Sequence, residues 1–290
     1  MNRSKARAAR PGARGISGRR PPSRKQAPRI LLLLIVVVAV LLIMAVGIVF
    51  MGRSFGGGVS GKAFEKETLT TGPKPRLQVA NGRGAIRVEG VNSLDSVEIE
   101  LTKYALGSGR QEARKRASEL SVNTSKRGSR YLIESAGGRD TGADFAIRTP
   151  QGSSIELESE AGDVELVKVH GDVTVSNEAG DVRVKGSKGS VEIRSLQGDV
   201  EISDVSTDTG QVDVDVGVGD AILRDLVVGT LDLRVDIGDA ILSGRFSGGG
   251  EAVVQTGDII VRLPSEDTRE LSLESRIGDV VAKPDKPGKD

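Results

Sequence analysis

The groups in this chain whose type and spacing could do chemistry are a single histidine and a recurring Gly-Asp pair. His170 stands directly before Gly171. A general base needs the reacting proton within hydrogen-bond reach and a neighbour that orients it, whereas a lone imidazole at a repeat corner reads as a solvated turn residue. Asp and Glu number 40, but they recur once per repeat, as a solvated face does. Glycoside hydrolysis would instead single out one carboxylate pair.

Gly-Asp pairs begin at 162, 171, 180, 198, 219, 238, 257 and 278. In the structural reading, Gly supplies a positive φ at a corner and Asp bonds nearby backbone amides. In the alternative reading the acids hold calcium, as in nonapeptide β-rolls of pattern GGxGxDxUx. The unit here is GDVxVxxxx, with one Gly and with Asp beside it, so the turn role is preferred. Asp163, Asp181 and Asp199 are the calcium candidates, because such a row could stack within reach. The chain has no Cys, which excludes disulfides, thiolate metal sites and a lipobox. Past residue 152 the one aromatic is Phe246, which disfavours a lectin-like groove. The expectation is a protein that is not an enzyme, with no catalytic residue, cofactor or metal.

The elements that carry these pairs are short strands. Gly162, Gly171, Gly180, Gly189 and Gly198 define a nine-residue period. At fixed offsets follow Val164 and Leu166, Val173 and Val175, Val182 and Val184, Val191 and Ile193, and Val200 and Ile202, all apolar. Polar residues such as Glu165, Thr174 and Arg183 lie between them, so each unit is a strand with one buried and one solvated face, followed by a turn. After a three-residue insertion, residues 211–229 align with 230–248 at a spacing of 19, which suggests two strands per coil. Gly219, Gly238, Gly257 and Gly278 continue the turns. No unit buries its own stripe, so stacked neighbours must do so. The fold class is mainly β, a parallel β-solenoid over residues 151–282, with an antiparallel meander as the alternative because period alone does not fix strand direction.

Upstream, residues 76–150 read as a small α+β N-terminal cap. LQVANGRGAIRVEG (77–90) gives two strands around a turn at Asn81-Gly82, and GRQEARKRASEL (109–120) gives a helix supported by Glu112 and Arg116 four residues apart. Residues 52–75, rich in Gly, Thr and Pro, read as a flexible linker, and 283–290 as a disordered tail.

Residues 30–51 are uncharged and apolar, long enough as a helix to cross a hydrocarbon core of about 30 Å. Before them, residues 1–29 hold ten of the chain's 41 Lys and Arg and no acid. That leader reads as a disordered cytoplasmic tail at anionic lipid, and the positive-inside bias places the β domain outside the cytoplasm. A cleavable signal peptide is the competing reading. The rest of the chain is net acidic, which argues against nucleic acid as a partner of the β domain.

LQVANGRGAIRVEG, TPQGSSIELESEAGDV (149–164), the Gly-Asp-Val repeats and DIIVRLPSEDTRELSLESRIGDV (258–280) together resemble the bacterial "putative adhesin" family of envelope β-strand-repeat proteins, related to toast-rack domains. The resemblance implies a β-helical fold, an envelope location and no catalytic residue. The functional expectation is a single-pass, membrane-anchored, non-enzymatic domain of the cell envelope. Its β-repeat surface would serve adhesion or contact with an envelope or surface protein. An envelope-stress or ligand sensor signalling through the helix is the alternative.

Overall fold

The computed structural model describes residues 59–263 and 271–284. The basic tail, the apolar segment 30–51, residues 52–58 and residues 285–290 lie outside the described residues. Among the described residues, no helix is long and apolar enough to cross a membrane.

Strand pairing shows how the nine-residue unit is used. Val173 pairs in parallel with Ile155 on one side and Val191 on the other, while Val182 pairs with Val164 and Val200. Partners are thus two units apart, so two units make one coil and alternate units fall on opposite sheets. The meander alternative is excluded along the repeats.

Sheet A stacks β2 (Arg76–Asn81), β8 (Ser154–Ser159), β10 (Val173–Asn177), β12 (Val191–Gln197), β14 (Ser206–Val218), the second half of β15 (Ala221–Ile237), β17 (Gly250–Thr256) and β19 (Leu271–Ser275). Sheet B stacks β3 (Ile86–Val91), β9 (Val164–Val167), β11 (Val182–Lys185), β13 (Val200–Ser203), the first half of β15, β16 (Ala240–Phe246), β18 (Ile259–Leu263) and β20 (Val280–Pro284). The inserted residues appear as a register shift between Thr207 and Gln211.

Apolar side chains from both sheets meet between them. The ten residues of the regular repeats, from Val164 to Ile202, are each at most 2% exposed, and β-branched side chains suit such a pleated surface. The interior is not wholly apolar. Ser135, Asn81, Ser159, Asn177 and Ser195 form one buried column by register, continued by Val216, Val235 and Val254. The Asn177 amide donates to the Gly180 carbonyl at 2.7 Å, and that of Asn81 to the Gly84 and Ala143 carbonyls at 2.9 Å each. These bonds tie the polar column to the corner beside it.

Three features differ from the sequence expectations. First, β2 and β3 do not stand in a separate cap. They lie on opposite sheets and pair in parallel with β8 and β9, so the coil begins at residue 76, and the rest of the cap is an insertion between β3 and β8. That insertion contains β4 (Ser96–Gly107), α1 (Arg110–Glu119), β5 (Val122–Arg127), β6 (Arg130–Ser135) and β7 (Thr141–Pro150). β6 and β7 extend the sheets in parallel beyond β2 and β3. β5 and β4 then lie antiparallel on them.

Second, much of the expected linker is a strand. β1 (Val59–Thr70) runs antiparallel to β4 along its whole length. Its composition hides this because Gly61 is there for packing. A Cβ at Gly61 would collide with the helix backbone at Ala113 and Arg114, so glycine lets α1 lie against the strand. Glu112 and Arg116 of α1 form an ion pair at 2.7 Å.

Third, the turn glycines belong to two different corners. Gly162, Gly180, Gly198, Gly219, Gly238, Gly257 and Gly278 turn sheet A into sheet B, all at positive φ, from 125° to 152°. Gly171 and Gly189 sit at the return corner, with φ outside the left-handed region. There a Cβ would strike the carbonyl of the coil below, Ser153 and Gly171 respectively. A further corner, after β9, β11, β13 and the first half of β15, is left-handed at Lys168, Gly186, Asp204 and Asp225, with φ of 56°, 70°, 55° and 54°. Three of these four residues carry a side chain, so glycine spacing does not reveal that corner.

Candidate interaction surface

At the glycine corner each Asp has a defined partner. Asp163 Oδ1 accepts the backbone N–H of Asp181 at 3.0 Å, and Asp181 accepts that of Asp199 at 3.2 Å. The series continues through Asp220, Asp239, Asp258 and Asp279 at 2.8–2.9 Å. The corner amide of each coil points along the solenoid axis, and the carboxylate of the coil below satisfies it. Asp163, Asp181 and Asp199 are therefore brought into one column, with one oxygen of each engaged by backbone. Among the described residues no three His, Asp or Glu side chains converge as a metal cage would require. Asp172, at the return corner, accepts the Ser190 N–H at 3.2 Å.

His170 precedes that return corner. Its backbone N–H donates to the Gln151 carbonyl at 2.6 Å. Burial lowers the imidazole pKa from its ordinary value, and the Lys188 charge adds to the shift, so the neutral ring is favoured. Chemistry by proton transfer would need a second group oriented on it.

The outward residues of sheet B form a patterned surface. Arg87 pairs with Glu165 at 2.7 Å, and Arg183 with Asp181 at 3.0 Å and Glu201 at 3.5 Å. Arg224 reaches Glu201 at 3.5 Å. Along the same outward column, register then places Ile222, Ile241, Ile260 and Val281 on successive coils. The three isoleucines are half-buried and Val281 is exposed. On the other flank of the Asp column, Val218, Ile237 and Ile277 are exposed, Ile277 by 60%. The first coils thus present paired charges, and the last ones an apolar strip on both sides of a row of carboxylates.

One outward column of sheet A is acidic. Glu192, Asp213, Asp232 and Glu251 occupy one column. Burial raises the Asp213 pKa above its ordinary value, with Asp232 and Glu192 adding to the shift. Period-two alternation predicts the outward positions of both sheets. The change from ionic to apolar on sheet B is written in the sequence as DVRV and DVEI giving way to DAIL and DIIV, a signal visible only once the register is known.

Residues 77–288 match the family model of Toastrack DUF4097, a span running from the first coil strand past the last. The chain belongs to that family. The toast-rack domain is similar in fold to the crystal structure of a "putative adhesin" from Bacteroides fragilis NCTC 9343, at a TM-score of 0.52 and 13% identity, covering 76% of this chain and 97% of that one. A second "putative adhesin" structure, from Parabacteroides distasonis ATCC 8503, aligns at a TM-score of 0.44 and 16% identity, over 79% of this chain and 98% of that one. Each of those two structures is described as a "putative adhesin". No curated protein matches the sequence.

Proposed function

We propose that this toast-rack chain is a non-enzymatic protein of the cell envelope. Residues 30–51 anchor it, residues 1–29 lie in the cytoplasm against anionic lipid, and the solenoid outside serves adhesion or contact with another envelope protein. The observation that carries the contact role is the outward column Ile222, Ile241, Ile260 and Val281. Four apolar side chains on adjacent coils of one face form a contiguous patch of the kind that marks interaction sites. A ladder that served only to solvate the sheet would continue the Arg and Glu of the earlier coils.

The test has two arms. Protease added outside intact cells or spheroplasts should remove the solenoid and leave a fragment holding the basic tail and the apolar segment; protection of the solenoid would reverse the orientation. Replacing Ile222 by Lys, Ile241 by Glu and Ile260 by Lys continues the alternating charges of the earlier coils, so it should leave the fold intact and abolish attachment of chain-coated beads to envelope material. Unchanged attachment would remove the contact role from this face.

A further inference from the structure

The buried column Ser135, Asn81, Ser159, Asn177 and Ser195 crosses the first coils on β6, β2, β8, β10 and β12. Each of these residues is at most 6% exposed. The hydroxyl oxygens of Ser135, Ser159 and Ser195 and the Oδ1 atoms of Asn81 and Asn177 have no hydrogen-bond partner among the described residues. Buried polar atoms in folded proteins are nearly always bonded, and one left without a partner costs more than an average hydrogen bond contributes.

The orientation of both amides is fixed. Each Nδ2 donates to corner carbonyls, that of Asn177 to Gly180 and that of Asn81 to Gly84 and Ala143; the reversed amide would set oxygen against oxygen. Each Oδ1 is therefore turned away from those carbonyls while remaining buried. Along the column, hydroxyl groups alternate with these amide oxygens, donors with acceptors, yet neighbours do not bond directly. Coils lie about 4.8 Å apart. That is too far for a direct bond between level side chains and close to the span that one water bridges with two bonds of about 2.8 Å.

The later coils show that the position has room. There it is held by Val216, Val235 and Val254, each fully buried. Valine exceeds serine by one methyl group, which takes up roughly the space of a water molecule. In the last coil Ser275 holds the position and donates to the Gly257 carbonyl at 2.8 Å, so that serine has the partner that the other three lack.

We propose that the first coils bind a file of water molecules inside the solenoid, one between each neighbouring pair from Ser135 to Ser195, ending where the valines begin. The waters donate to each Asn Oδ1 and exchange hydrogen bonds with each Ser hydroxyl, so every unpartnered atom of the column is satisfied. The ligand is uncharged, because a column of neutral oxygens does not offset the desolvation of an ion. The inference is independent of the adhesion reading, since it concerns the interior of the coil and not its outer faces.

The test compares Ser159→Val with Ser159→Ala in the full-length chain in detergent. The proposal expects the valine variant to melt lower. Valine displaces the waters on both sides and leaves the Oδ1 atoms of Asn81 and Asn177 unbonded, whereas alanine leaves room for them. A dry column gives the reverse order, because valine buries more apolar surface and suits a strand, and that order would overturn the proposal. Crowding by valine is controlled by the triple variant Ser159→Val, Asn177→Val and Ser195→Val, which extends the Val216 column. It should melt above Ser159→Val alone, and a triple variant that melts no higher would count against the file. Magnetic relaxation dispersion of the water signal should report more long-lived internal water in the parent than in the triple variant; equal signals would overturn the proposal. A melting temperature raised by sodium or potassium chloride over choline chloride would make the ligand a cation and overturn it equally.

Discussion

Asp181 Oδ1 accepts the backbone N–H of Asp199 from the adjacent coil at 3.2 Å. The bond makes Asp a structural repeat element in its own right, because each corner amide is satisfied by a carboxylate two units away in sequence. It also explains why the Asp follows the corner Gly without the spacing of an ion-binding loop.

Asp181→Asn keeps an oxygen at this position and should be close to neutral. Asp181→Ala leaves the Asp199 amide without its partner and should cost about 1 kcal/mol, read from the urea midpoint. Melting with chelator and with millimolar calcium should give the same midpoint. If Asn is as damaging as Ala, and calcium raises the melting temperature of the parent, the column is an ion ladder.

The corners make opposite demands on glycine. Gly180 has φ of 125° with the Gly162 carbonyl against it, so Gly180→Ala should cost about 1–3 kcal/mol. Lys168 holds a left-handed φ of 56°, a conformation that costs a residue with a Cβ roughly 1–2 kcal/mol. Lys168→Gly should therefore stabilise, by less than that because glycine loses more entropy on folding. Thermal denaturation of the two variants should shift in opposite directions.

Val182 is fully buried between Val164 and Val200, while its neighbour Arg183 faces outward between Glu165 and Glu201. Val182→Asp places an unpaired carboxylate in the core and should cost several kcal/mol, on the order of the stability of a whole domain. Arg183→Gln removes a half-exposed pairing and should cost less than about 1 kcal/mol. Equal damage from both would contradict the alternation of inward and outward positions. Arg183→Asp is a harsher change than exposure suggests, since it would put three acids in one column.

Asp213 has its pKa raised in the folded state, first by burial and then by Asp232 and Glu192. Its ionised form is disfavoured on folding, so it subtracts stability at neutral pH. That loss is recovered as pH falls through the raised folded pKa, and is gone below the unfolded value. Asp213→Asn should accordingly stabilise at neutral pH, and its advantage should fade towards about pH 4. Urea midpoints of the pair at the two pH values check the sign.

The local grammar of the coil was legible in the residues. Gly at every ninth position and Val, Leu or Ile two and four places later specify a strand, its buried side and a corner. Each is set by steric limits on φ and by the two-residue period of a strand. Helix formers without strand periodicity located α1 in the same way.

Spatial pairing decided what local grammar leaves open. A nine-residue unit reads the same whether its neighbour in space is the next unit or the one after. Only the register of Val173 with Ile155 and Val191 separates Gly171 and Gly189 from the other turn glycines. β1 was hidden because Gly61 answers to the α1 backbone across the insertion, and the corner at Lys168 because the surrounding coil holds a strained φ that the residue itself does not favour. The exposure of Val280 is likewise tertiary. Val280 follows a Gly-Asp pair just as Ile259 does, yet it is exposed because among the described residues no further coil lies above it, and burial depends on what stacks beyond a residue.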